Sequence, residues 1–133
     1  MTITRSDTAK PGLRAHEQAV RRPFSDVVSD LRQILGAKLV AYLGGVRETR
    51  AVAQWADGSG RTPSDATQQR LRAAFQVAAL LREHESAQTV AAWFQGMNPA
   101  LNDVAPARLL RERDLDEAAP QVLAAARAFV ALG

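Results

Sequence analysis

The stretch Gly44 to Gly58, GGVRETRAVAQWADG, opens on a glycine pair and sets Arg47 and Arg50 at the head of a short helical segment. A helix dipole is already positive at its N-terminus, so stability alone would favour Asp or Glu there. Guanidinium groups at such a place suit an anionic surface: arginine grips phosphate or a guanine edge in a bidentate fork, and glutamine matches adenine. The residues predicted to project outward for this chemistry are Arg47, Thr49, Arg50 and Gln54, with Lys38 and Arg61 placed to meet phosphates. Val52 and Trp55 fall on the opposite side, and Trp55 is expected to be a buried anchor. The bland alternative is that Arg47 and Arg50 are merely solvated and partly neutralised by Glu48.

Other chemistry is poorly served. The chain has no cysteine, which excludes thiolate metal sites and disulfides. His16 and His84 are its only histidines, and neither has a carboxylate at metal-ligand spacing, so no metal is expected. Glu112, Asp114, Asp116 and Glu117 cluster where a helix should start, a place that stabilises carboxylates through the dipole. No nucleophile–base pair and no glycine-rich phosphate loop is present, so neither catalysis nor a cofactor is expected.

The elements that must position the cations are helical throughout. Apolar residues recur at helical spacing and no stretch alternates with period two, which predicts an all-α fold. Residues 1–22 are polar and carry Pro11-Gly12, and they are expected to form a flexible basic arm, helical in part from His16. Residues 23–84 hold a first helix capped by Ser25, a second from Ala37 to Leu43, the helix of the opening stretch, and a long helix capped by Ser64. The second and third helices, joined by Gly44-Gly45-Val46, have the layout of a helix-turn-helix, with Ala41 expected to clear the crossing. Val52 and Trp55 come one residue late for the usual spacing, so a longer turn is expected. Residues 85–133 hold a helix ending before Asn98-Pro99, another starting at Pro106, and a last one from near Glu117 to Val130, set by the place of Pro120. These three segments carry net charges of +3, +2 and −2 within an overall +3, an asymmetry that suggests two surfaces meeting different partners.

A second informative stretch is WFQGMNPALNDVAPARLL, Trp93 to Leu110. A helix is cut off, an irregular loop carries Leu101 as its expected plug, and Asn102 is a residue type that tolerates the left-handed backbone of a sharp bend.

The order Trp93, Asn98, Leu101, Pro106 and Leu109-Leu110 resembles the toxin-binding domain of the Xre/MbcA/ParS antitoxins. The resemblance extends upstream through Trp55, Gly58 and Pro63, where the family has its Xre-like helix-turn-helix, and covers residues 25–131 in all. It implies a helix-turn-helix bundle followed by a small helical toxin-binding domain, pairing with a RES-domain toxin that destroys NAD⁺. Such antitoxins cover the toxin's active-site entrance with their C-terminal region. Carried onto this chain, the toxin-binding residues would be Asn98, Pro106, Arg111, Arg113, Arg127, Phe129 and Val130, while Trp93, Leu101 and Leu109 would be structural anchors beside Trp55. Three features depart from the family pattern: Asn102 stands where glycine is common, no glycine lies near Arg113-Asp114, and the arm before Pro23 has no counterpart.

The resemblance further implies operator binding, autorepression and a homodimer matching two half-sites. An alternative is a freestanding helix-turn-helix transcriptional regulator whose C-terminal domain serves only dimerisation. No apolar run reaches the ~20 residues of a membrane span, and the N-terminus has no apolar core of a secretory signal. A cytoplasmic location is expected.

Overall fold

The computed structural model describes residues 13–16 and 22–132. Its elements are α1 (Phe24–Leu35), α2 (Ala37–Gly44), α3 (Thr49–Asp57), α4 (Asp65–Arg82), α5 (Ala87–Gln95), a 3₁₀ turn (Pro99–Leu101), α6 (Pro106–Glu112) and α7 (Leu115–Leu132). The fold is all-α, and the described residues contain no strand, only an isolated bridge between Asn98 and Val104.

The amphipathic period of α1 buries Val27, Val28, Leu31 and Leu35. Its first helical residue is Phe24 and Ser25 lies inside the helix, so the expected serine cap is replaced by Pro23. The fixed φ of proline suits this position, Val27 donates to its carbonyl at 3.1 Å, and Asp26 supplies the first-turn anion. Gly36, at φ 87°, breaks the chain between α1 and α2. The second helix closes in a Schellman motif: Gly45 is left-handed at φ 76°, its N–H donates to Tyr42 and that of Val46 to Ala41. The same device ends α3, where Gly58 donates to Trp55 and Ser59 to Gln54. Ser64 and Ser86 cap α4 and α5, each accepting from the backbone N–H three residues on at 3.2 Å.

The long α4 is the hub, packing against α1, α2, α5, α6 and α7. One hydrophobic cluster runs from Val27, Leu31 and Val52 through Leu71, Phe75 and Leu81 to Val90, Phe94, Leu110, Val122 and Ala126. That cluster crosses the boundary drawn at residues 84 and 85. Segments 23–84 and 85–132 therefore share a core, and what divides them is the character of their surfaces.

The last helix starts at Leu115, earlier than Pro120 suggests, and the proline sits inside it. Proline removes the bond to the carbonyl four residues back. Asp116 and Pro120 are both exposed, so water can satisfy the freed carbonyl. Of the expected N-terminal arm, residues 13–16 form a helical turn with Ala15 buried in the common core, and Arg22 is described at its end; residues 1–12 and 17–21 lie outside the described residues. Arg22 is held by an ion pair with Asp30, and its carbonyl accepts from Arg72 on α4 at 2.7 Å.

Candidate functional site

Two surfaces are built on this frame. The first surrounds the α2–α3 pair. Trp55 is 8% exposed and its ring lies on Gly44, where an added Cβ would stand 2.7 Å and 2.9 Å from ring carbons. The α2–α3 crossing is thus cleared by Gly44; the expected Ala41 is buried but is not the residue beneath the ring. Phe24 backs the indole from α1, with ring centroids 6.4 Å apart. With its anchor fixed, α3 turns Arg47, Glu48, Thr49 and Arg50 to solvent at its head. Glu48 is the extended N-cap residue and gives no side-chain cap, so Thr49 is the first helical residue. Arg47, Arg50, Lys38 and Arg61 are all exposed, and none makes a hydrogen bond or ion pair among the described residues. Their donors are open to an incoming anion. Gln54 is placed differently: it is half-buried, and its side chain fills the space beside Gly60, where an added Cβ would come within 2.8 Å of its Oε1. It is therefore packed under the loop after α3, not projected beside Arg50.

If this head is a reading surface, Arg50→Ala should lower duplex affinity by roughly 1–3 kcal/mol, the usual worth of one bidentate base contact. Its thermal midpoint should match wild type because the side chain supports nothing in the fold. Fluorescence anisotropy beside a melting curve checks both, and unchanged affinity would remove Arg50 from the surface.

The second surface is built by the loop after α5 and the end of α7. Asn98 fixes the loop: its Oδ1 accepts from the Ala100 N–H at 2.9 Å, and its carbonyl accepts from Leu101 and Asp103 at 2.9 Å each. Asn102 and Asp103 are both left-handed, at φ 56° and 65°, and turn the chain back toward α6. Leu101 is buried as the plug, the 3₁₀ turn packs on α7, and Pro106 is buried at the first position of α6. Asn98 and Pro106 thus shape the loop from within. Leu109 is buried as an anchor.

Trp93 departs from its expected role as a core anchor. It is half-buried, set edge-on against Phe94 at 5.4 Å and tilted against Phe129 of α7 at 6.4 Å. Phe94, one residue on, is the core member, fully buried. Phe129 and Val130 are half-buried, and Arg113 and Arg127 are exposed. Arg111 is exposed but leans away from this patch, its guanidinium stacked 4.5 Å over the ring of Tyr42 on α2. The spacing of residues gave no hint of two further members: Met97 is 80% exposed and Leu132 89%, the large apolar side chains most open to water among the described residues. Met97 stands two residues past the end of the helix bearing Trp93, and Leu132 lies one turn beyond Phe129 on the same face of α7. Only a lone apolar residue between Gly96 and Asn98, in a segment with no helical period, could have marked Met97. Large apolar groups held out in water are unusual on a folded chain and mark candidate contacts for a protein partner.

A cleft of about 650 Å³ between α2, α5 and α6 is lined by Lys38, Leu39, Tyr42, Phe94 and Arg108 among others, and brings together no acid–base pair. Among the described residues no group of His, Asp or Glu is arranged to hold a metal, and no helix is long and apolar enough to cross a membrane.

This arrangement has a solved counterpart. The chain is similar to a chain in the crystal structure of the M. tuberculosis MbcT-MbcA toxin-antitoxin complex, with 25% identity and a TM-score of 0.62. The likeness covers 80% of this chain and 96% of that one. No family model matches the chain, and no curated protein matches it.

Proposed function

We propose that this protein is the antitoxin of a toxin–antitoxin pair, a cytoplasmic binding protein with no catalysis of its own. The observation that carries the reading is the shared fold with a chain of a toxin–antitoxin complex over nearly all of that chain's length. In this reading the partner is a RES-domain, NAD⁺-degrading toxin, and residues 85–133 cover its active-site entrance. Trp93, Met97, Phe129, Val130 and Leu132 supply the apolar contact, with Arg113 and Arg127 at its rim. Aromatic anchors edged by arginine are the usual composition of binding hot spots. Residues 23–84 bind operator DNA through Arg47, Thr49 and Arg50, with Lys38 and Arg61 on phosphates, as a homodimeric autorepressor. Their exposure and lack of internal partners support this half.

Co-expression tests the central claim. Induction of the RES-domain toxin encoded beside this chain should arrest growth and deplete NAD⁺, and the full chain should restore both. Continued NAD⁺ loss in the presence of stable, folded chain would reject the antitoxin reading and leave the freestanding regulator.

A further inference from the structure

Arg70 and Arg111 come from distant parts of the chain, α4 and α6, and meet at the C-terminal end of α2. Arg70 is pinned there: its Nε donates to the Leu43 carbonyl at 2.8 Å, and an added Cβ on Gly45 would stand 3.7 Å from its Nη2. Arg111 is pinned by Tyr42, the residue just before Leu43 on the same helix. Neither guanidinium has a carboxylate partner among the described residues; Glu112, the nearest acid in sequence, pairs with Arg108 at 3.1 Å. Partial burial first, and the Arg111 charge second, hold Arg70 below the ordinary arginine pKa. The Arg70 guanidinium is half-buried and feels the repulsion of the Arg111 charge, with no carboxylate partner among the described residues to offset it. An anion brought from outside relieves that repulsion and finds its donors already oriented. Pinning through Nε leaves the two Nη groups of Arg70 free, and stacking leaves the N–H edge of Arg111 free.

We propose that Arg70 and Arg111 form a phosphate clamp that grips the DNA backbone next to the α3 reading head. The location selects DNA as the occupant. The clamp lies at the Gly44-Gly45 turn leading into Arg47 and Arg50, and Lys38 precedes Tyr42 by one turn of α2. The exposed cations Lys38, Arg111 and Arg47 and the half-buried Arg70 therefore follow α2 into the head of α3, a track suited to a polyanion. In helix-turn-helix docking the first helix of the pair crosses the backbone while the second enters the groove. A residue of the C-terminal segment thus belongs to the DNA-facing side, and α6 ties the two surfaces together. The clamp rests on the reading of the helix pair as a DNA binder.

The test is duplex binding by the full chain as a function of salt, on an operator fragment and on random DNA, for wild type, Arg111→Gln and Arg111→Lys. Arg111→Gln should weaken both duplexes by the same factor, roughly tenfold for one charge-assisted contact. It should also reduce the slope of log K against log salt by about 0.9, the signature of one lost phosphate. Arg111→Lys should keep the slope. Circular dichroism confirms folding of each variant, and Arg108→Gln serves as a control for charge alone, since its neighbour Glu112 already neutralises it. An unchanged slope in Arg111→Gln overturns the clamp while leaving the reading head in place. Loss of toxin capture with DNA binding intact overturns it too, by assigning Arg111 to the partner. No binding by wild type removes the DNA half of the proposed function and the clamp together.

Discussion

The double substitution Met97→Glu with Leu132→Glu is expected to weaken toxin capture by at least a hundredfold and to abolish rescue from toxin, with the fold unchanged. Both side chains are almost fully in water, so a carboxylate at either place costs the free protein little. Under a partner, each carboxylate would be stripped of water beside the Trp93–Phe129 pair with no cation to meet it. Penalties of about 2 kcal/mol per site are typical of hot-spot positions. Two such losses correspond to about three orders of magnitude in Kd, of which neighbouring sites commonly share some. Pull-down of tagged toxin, with isothermal titration for the constant and a melting curve for the fold, decides the matter. Undiminished capture would move the contact away from the Met97–Leu132 end and toward Arg113 and the acidic first turn of α7.

The second large effect concerns stability. Phe94→Ala should lower the unfolding free energy by about 3–5 kcal/mol, the usual range for a fully buried aromatic ring. Phe94 is completely buried on α5, a helix that packs on α1 and α6 as well as α4. The loss should therefore be felt by the entire chain: denaturation followed by Trp55 and Trp93 fluorescence should remain one transition with a lowered midpoint. Two separated transitions would show that residues 23–84 hold together without the C-terminal helices. The same continuity argues against dissecting function by deletion after residue 84, which would strip α5, α6 and α7 from α1, α2 and α4 and expose their buried faces. Point substitutions on the two surfaces keep the core whole.

The helices, their ends and their buried faces were legible because each is decided by neighbours in sequence. Gly45 and Gly58 end their helices in left-handed conformations, Ser64 and Ser86 cap theirs, and Asn102 takes the strained turn. A propensity, a cap or a periodic apolar stripe needs no knowledge of the rest of the chain. Where local rules compete, legibility fell: Ser25 lost the cap to Pro23, and Pro120 was absorbed within a helix because the carbonyl it frees faces water. The candidate site was less readable. Arg47 and Arg50 could be placed outside on periodicity alone, but Gln54 could not be placed beneath its loop. Trp93 has the composition of an anchor, yet its neighbour Phe94 took the core position.

The amino-acid order by itself therefore determined an all-helical chain, a cationic head on a short helix, and an irregular proline-bounded loop between two C-terminal helices. Tertiary structure alone decided that one core underlies both surfaces, that Gly44 seats the Trp55 ring, and that Met97 and Leu132 stand out in water. It also decided that Arg70 and Arg111, 41 positions apart in sequence, both meet the C-terminal end of α2 with no carboxylate partner among the described residues. Such juxtapositions depend on how α4, α5, α6 and α7 cross the earlier helices. Crossing is set by the sum of many side-chain contacts between distant segments, and no local pattern carries that sum.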